Sequence, residues 1–509
     1  MRLMALALLS LVLPAAAWAY TPDVGDLSAV PRVQLDASTL KAAVTQAKGQ
    51  PLKFAVGSAL SATTATGAWD EPEAGIARWR LRIASSGAKS LSLQLEDLRL
   101  PADAALYFYT AGGDDVQGPY RAADGSRLVT PIARGDEAVL EVRMPSSEKS
   151  AFGLRVARAF HAYRELSAKS FSSTSGSSGA CEKDVACSTG DNYPDQIRST
   201  VLLTIVNAGD TYLCSGSLVN NPAQDDRALV LTAHHCEITS ANVTQAIAYF
   251  NVERSGCGTG TAGPVNQNIH GKTLLADAGG STVTDYSLFE LNTTLRTPAD
   301  YGAYYAGWEV SSSAPTSGAV IHHPSGDDKK ISLYTRAATA QNGICIGSTN
   351  NCSDGFRVDS WEVYWATGTT EGGSSGSGLL NQHKRIVGTL SGGAGACSGL
   401  QNNGDPDYFA RLDKAWTATS TTGTTLKAAL AGGSGCTSLD GKNPGAASAI
   451  DCNGATTGGT TTGGMTTGGT TTGGTTTGGT TGSDSEGGGG ALGLLLAPLA
   501  FAALWRRRR

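Results

Sequence analysis

Short apolar stretches recur along this chain between clusters of Gly, Asn, Asp and Ser. In Ala77-Arg78-Trp79-Arg80-Leu81-Arg82-Ile83 and Leu91-Ser92-Leu93-Gln94-Leu95, every second residue is apolar, which is the period of a half-buried strand. Leu106-Tyr107-Phe108-Tyr109 ahead of Ala111-Gly112-Gly113-Asp114-Asp115 predicts a strand and then a turn. Further along, Thr200 to Val206, Ala228 to Thr232 and Arg385 to Leu390 are short apolar runs bounded by turn residues. The pattern predicts an all-β protein built as sandwiches or barrels. A polar bridge from Ser170 to Gly179 divides it. Residues 20–169 form a small, mostly β domain without a catalytic constellation. The segment 170–435 is long enough for two small barrels with a cleft between them.

Composition adds that the chain is a composite. Its 509 residues include 65 glycines, 40% hydrophobic and only 16% charged residues. Collagen is excluded by the lack of a Gly-X-Y period, and general disorder by the apolar content. The net charge of −5 argues against a nucleic-acid binder. Residues 20–169 carry 18 basic and 17 acidic side chains (+1), and residues 170–435 carry 15 and 23 (−8). All ten cysteines follow residue 180, an even count that fits an oxidising compartment.

The two ends point to export. Arg2, the apolar run Leu3 to Leu13 and Ala17-Trp18-Ala19 have the layout of a signal peptide covering residues 1–19. A domain directly behind such a peptide suggests a prodomain, here 20–169. Residues 456–486 are a Thr/Gly-rich linker that repeats Thr-Thr-Thr-Gly-Gly, which builds no core and predicts an extended tether. Residues 487–509 then give Gly487 to Gly490, an apolar run Ala491 to Trp505 and Arg506 to Arg509. The run is short for a permanent span. This end resembles the bacterial Gly-Gly sorting tail, which implies transient membrane anchoring and removal by a rhomboid-type peptidase during surface sorting.

Three segments bear chemistry: Leu231-Thr232-Ala233-His234-His235-Cys236, Thr284-Asp285-Tyr286-Ser287-Leu288 and Gly372-Gly373-Ser374-Ser375-Gly376-Ser377-Gly378. Together they supply a base, an orienting carboxylate and a nucleophile in the order His, Asp, Ser. Asp277 is a second candidate carboxylate, without a following apolar strand.

With Ser215-Gly216-Ser217-Leu218-Val219-Asn220-Asn221 and Ile321-His322-His323-Pro324, these segments resemble the chymotrypsin-like serine peptidases, and in detail the lysyl endopeptidase branch. The resemblance covers roughly residues 181–415 and implies a two-barrel chymotrypsin-like protease domain at 170–435, preceded by a prodomain. It selects His235 as the base because it directly precedes Cys236, leaves His234 as a neighbour, and implies Asp285 as orienter and Ser375 as nucleophile. The backbone amides of Gly373 and Ser375 are the expected oxyanion hole. It further implies the disulfides Cys181–Cys397, Cys187–Cys257 and Cys214–Cys236. Cys345–Cys352 and Cys436–Cys452, the latter in a disulfide loop 436–455, are expected from proximity alone.

The strand Val387 to Gly393 resembles the one that pairs with substrate in this fold, so Ser391, Gly392 and Gly393 are expected to line the pocket. Asp407 in Asp405-Pro406-Asp407 matches the acid with which lysyl endopeptidases bind a lysine ammonium. Thr369, six residues before Ser375, carries no charge. Ser391 stands where those enzymes have a histidine, and the tryptophan beside their catalytic histidine has no evident counterpart, so lysine or arginine preference stays open. Trp361 and Trp365 are expected to be core or rim residues. The expectation is therefore an exported, secreted or cell-surface serine endopeptidase cutting after basic residues. It would be made as a zymogen, with protein substrates, no cofactor, no metal and a monomeric state. Self-cleavage after Lys169 would free it. The rival is a surface-displayed binding protein or adhesin with an inactive protease fold.

Overall fold

A computed structural model describes residues 20–36, 50–166, 178–278, 283–347 and 352–446. The expected signal peptide, Lys169, Cys452, the Thr-Gly linker and the basic tail lie outside the described residues. Among the described residues, no helix is long and apolar enough to cross a membrane.

The first alternating segment forms the strand Ile76–Ala84, paired antiparallel with Glu137–Pro145, which in turn pairs with Ala105–Thr110. The second lies in Ser90–Arg99, paired with Gly153–Ala162, whose other edge takes Leu52–Thr63. Trp79, Leu81, Ile83, Phe108 and Leu140 of one sheet share a core with Leu91, Leu93, Leu95 and Val156 of the other. The period-2 pattern thus turns alternate side chains inward in a sandwich. The intervening arginines lie on the opposite face, where the buried Arg78 and Arg80 both pair with Asp70.

The first protease barrel closes on itself. Thr200–Asn207, Ile247–Tyr249, Asn268–Asp277, Ser287–Leu291, Leu229–Thr232 and Asp210–Val219 follow one another, and the last pairs back to the first. Val201, Leu203, Val230, Phe250 and Phe289 fill its interior. The second barrel runs through Lys330–Tyr334, Gly318–His322, Gly378–Leu380, Ile386–Gly393, Asp407–Arg411, Phe356–Val363 and Thr339–Ile346. Val320, Tyr334, Leu379, Val387, Phe409 and Trp361 come from six of these strands and meet in one cluster, so the sheet curls around it. Leu229, Leu231 and Leu288 of the first barrel pack with Ile321, Ile331 and Ile386 of the second. This common core fixes the cleft between the barrels.

The chain after Arg411 also packs here. Leu426 and Leu430 join the inter-barrel core, and Ser438–Leu439 pairs with Trp308–Glu309.

The two expected globular parts are continuous with one another. Leu52, Lys53 and Ala55 pair with Leu213, Tyr212 and Thr211, so the N-terminal sheet runs into the first barrel. Phe54, Val129, Ile132 and Phe160 share a buried cluster with Leu202, Leu213, Tyr249 and Val265. Across the seam, Asn268 Nδ2 donates to Gln117 Oε1 at 2.8 Å and Gln117 Nε2 to Val265 O at 3.1 Å. His270 Nε2 donates to Val129 O at 2.7 Å.

Four disulfides are formed: Cys181–Cys397, Cys187–Cys257, Cys214–Cys236 and Cys345–Cys352. Cys436 is also in the disulfide form, and its expected partner Cys452 lies outside the described residues.

Candidate active site

His235 sits in the short turn His234–Cys236 that follows the strand Leu229–Thr232, and the Cys214–Cys236 bond ties this turn to the neighbouring strand. Asp285 directly precedes Ser287–Leu291, the strand that pairs with Leu229–Thr232. That pairing brings the two side chains together. His235 Nδ1 donates to Asp285 Oδ2 at 2.8 Å, and the His235 amide donates to Oδ1 at 2.9 Å. Burial pushes the Asp285 carboxyl up, but the charge and both hydrogen bonds of His235, with the nearby Ser391 hydroxyl, outweigh it and hold the carboxyl below its ordinary range. With Nδ1 carrying the proton, Nε2 is left as a buried lone pair with no partner among the described residues.

Asp277, the second candidate, serves the other histidine. It ends the strand Asn268–Asp277, lies 3.4 Å from His234 Nδ1, and accepts from Ser420 and Thr421.

The serine loop is held against the strand Asp210–Val219, the strand that the Cys214–Cys236 bond ties to the histidine turn. The Ser215 amide donates to Ser375 O at 2.8 Å, and the Ser215 hydroxyl donates to Gly373 O at 2.9 Å. Gly376 has φ +83°, and a Cβ there would lie 2.1 Å from Thr232 Oγ1. Gly373 has φ +94°, and a Cβ would lie 2.8 Å from His323 O. Only glycine fits this double turn. Within it, the amides of Ser374, Gly376 and Ser377 donate to Glu371 O, Leu390 O and Ser374 O. The amides of Gly373 and Ser375 donate to nothing among the described residues. Two unspent amides beside a serine have the form of an anion-binding hole. Ser375 Oγ does not reach His235 Nε2 at hydrogen-bond distance among the described residues.

Asp407 begins the strand Asp407–Arg411 and is buried beside the loop. Its Oδ2 accepts from Trp365 Nε1 at 2.7 Å and Thr370 Oγ1 at 2.8 Å, and its Oδ1 from the Gly395 amide at 3.0 Å. Gly393 pairs with Asp407 across the sheet, and Gly392 with Tyr408. A Cβ on Gly395 would lie 2.4 Å from Asp407 Oδ2, so the carboxylate has glycine backbone above it. Trp361 is a core residue, as expected, donating to Val387 O at 3.2 Å. Trp365 has a further part, as a donor to Asp407 that its sequence position does not reveal.

An aromatic partner for His235 was missed at the level of sequence. Phe356 stacks on the imidazole with ring centroids 5.4 Å apart and planes 23° from parallel. It lies just beyond the Cys345–Cys352 loop, and its place four residues after Cys352 is the only sequence signal. The groove next to this stack is lined by Gln50, Glu237, Asp354 and Arg357.

Comparisons with known proteins agree with this architecture. The family described as "Lysyl endopeptidase, C-terminal domain" matches residues 175–410, and "Lysyl endopeptidase N-terminal domain" matches residues 26–163. A lysyl endopeptidase of Pseudomonas aeruginosa is 30% identical over 390 residues, 71% of this chain and 79% of that protein. Among solved structures, the protease Anisep from Arthrobacter nicotinovorans is 20% identical over 46% of this chain and 97% of its own, with a TM-score of 0.33. A Glu endopeptidase is 17% identical over 47% and 93%, with a TM-score of 0.28. The protein is a serine endopeptidase of the chymotrypsin-like fold with an N-terminal domain. Within that class, the chain belongs to the lysyl endopeptidase family.

Proposed function

We propose that the enzyme cuts peptide bonds after basic residues with the triad Ser375, His235 and Asp285. Ser375 attacks the carbonyl, His235 Nε2 takes its proton and returns it to the leaving amine, and Asp285 holds the Nδ1–H tautomer. The unspent amides of Gly373 and Ser375 receive the oxyanion. The bidentate contact between His235 and Asp285 supports this assignment.

The observation that carries the specificity is the buried Asp407 carboxylate, which accepts from Trp365, Thr370 and the Gly395 amide. A cationic side chain entering with the substrate neutralises such a charge. The relative from P. aeruginosa carries the name lysyl endopeptidase, which favours lysine. Ser391, Gly392 and Gly393 form the wall beside the pocket.

The same reading makes residues 20–169 a propeptide, 1–19 a signal peptide and 487–509 a sorting tail, so that an exported zymogen is freed by a cut before Cys181. Hydrolysis of lysyl, arginyl and leucyl peptide anilides by processed enzyme, with Ser375→Ala as control, tests the proposal. The lysyl or arginyl peptide should be cut at least 100-fold faster than the leucyl one. Preference for the leucyl peptide would reject Asp407 as specificity acid, and activity in Ser375→Ala would reject the nucleophile.

A further inference from the structure

The pair His322-His323 ends the strand Gly318–His322 and is fully buried beneath the serine loop. Neither ring touches the substrate cleft, yet both positions are wired to the loop. The His323 amide donates to Ser215 Oγ at 2.9 Å, and that hydroxyl passes its own proton to Gly373 O. His322 reaches the next residue, with Nδ1 2.7 Å from Ser374 Oγ and Nε2 3.1 Å from Ser332 Oγ.

The direction of every proton in this chain follows from its two ends. Thr369 O accepts only, so Ser332 donates its single hydroxyl proton there, at 2.7 Å. Ser332 Oγ must then accept from His322, which puts the ring proton on Nε2. At the other end, the Glu371 amide donates to Ser374 Oγ at 3.1 Å. The proton of Ser374 is therefore free to go to the Nδ1 lone pair. The ring is a neutral Nε2–H tautomer that donates on one side and accepts on the other. Burial pushes its pKa down to about 3, with Lys330 adding to the effect, so the arrangement persists through the working pH range. Glu182, 3.7 Å from Nε2, lies beyond hydrogen-bond distance and does not compete.

Ser374 lies between the two residues whose amides are unspent. Its buried side chain bonds His322, and this holds the turn that carries the unspent Gly373 and Ser375 amides. We infer that His322 is a positioning residue for hydrolysis: by accepting from Ser374 it aims the Gly373 and Ser375 amides at the oxyanion. The inference rests on Ser375 being the nucleophile.

The test compares processed wild type with His322→Ala, His322→Asn, Ser374→Ala and the double variant His322→Ala/Ser374→Ala. Three quantities are read: kcat and KM on a lysyl anilide, the affinity of a lysine-terminated peptide aldehyde, whose adduct carries an oxyanion, and that of the lysine-terminated product peptide. Losing an oxyanion donor costs about 100- to 1,000-fold, and a misplaced one less. His322→Ala and Ser374→Ala should therefore lower kcat roughly 10- to 100-fold, with KM and product affinity within about two-fold. Aldehyde affinity should fall by the factor lost in kcat. The double variant should be no slower than the slower single one, because both break one link. His322→Asn keeps an acceptor near the Nδ1 position and should recover most of the rate.

If His322→Ala does not fold, Ser374→Ala, which removes a single oxygen, carries the test. Unchanged kcat in these variants, multiplied losses in the double variant, or a matching loss of product affinity would overturn the inference while leaving the triad intact. Activity in Ser375→Ala would overturn both.

Discussion

Replacing Asp407 with asparagine removes a charge at nearly constant volume, and the geometry sets its effect. The bonds from Trp365 and Thr370 fall on the carboxylate's Oδ2, and that from Gly395 on Oδ1. An asparagine oxygen in the Oδ2 position keeps the first two. Its NH2 then faces the Gly395 N–H, which loses one acceptor but keeps Pro406 O at 3.3 Å, at about 1 kcal/mol of stability. The substrate term is larger. A lysine ammonium at the pocket floor would meet a neutral amide, and an uncompensated buried charge costs about 3–5 kcal/mol. At about 1.4 kcal/mol per decade, kcat/KM for a lysyl anilide should fall roughly 100- to 5,000-fold. The leucyl anilide, which brings no charge, should change less than about ten-fold. Both are measured with one leaving group, alongside thermal unfolding in a Ser375→Ala background to prevent self-digestion. A folded Asp407→Asn enzyme that cuts the lysyl anilide within ten-fold of wild type would refute the counter-ion argument. So would equal losses on both substrates.

Other perturbations probe the seam and the buried acid. A Cβ on Gly57 would lie 2.0 Å from Gly209 O, so Gly57→Val should wedge Leu52–Thr63 off the 210–219 strand and speed amide exchange at residues 211–213. Unchanged exchange there would show that strand pairing does not hold the N-terminal domain. Burial, then Glu371, holds the Glu182 carboxyl well above its ordinary value of 4.5 in the fold, and unfolding returns it there. Stability therefore falls as pH rises through that value toward the folded pKa, and none of this cost is present below it. Glu182→Gln should consequently gain melting temperature relative to the parent between pH 4 and pH 8, measured in the Ser375→Ala background. A pH-independent difference would mean that Glu182 is ionised in the folded state.

What the chain discloses in advance depends on how local the cause is. Trp79, Leu81 and Ile83 alternate with arginines, and that period alone places them in a sandwich. The adjacency of His235 and Cys236 fixes the register of the histidine loop, and Asp285 follows from the strand that begins two residues later. Phe356 is another matter: it meets His235 only because the hairpin Thr339–Ile346 with Phe356–Val363 folds over the cleft. Trp365 and Asp407 lie 42 residues apart, and no periodicity predicts their bond. The continuity of Leu52–Thr63 with the first barrel is least visible of all, since edge pairing uses backbone groups that every residue offers. His322 shows a further limit. In sequence its motif only supports the family resemblance, and its part emerges from the partners of both ring nitrogens.

The Cys181–Cys397 bond spans 216 residues, a loop whose closure is worth about 5 kcal/mol against the unfolded chain by loop entropy. It also has a topological effect. Gly179 lies against Cys397 Sγ and donates to Glu371, while Ser178 donates to Asp327. A cut upstream of Ser178 would sever the backbone yet leave the new chain end riveted beside Glu371 and the serine loop. Maturation of this kind changes which segments are joined in sequence without letting the catalytic unit lose its own first residues. A reductant, rather than a second protease, is the agent that would set that end adrift.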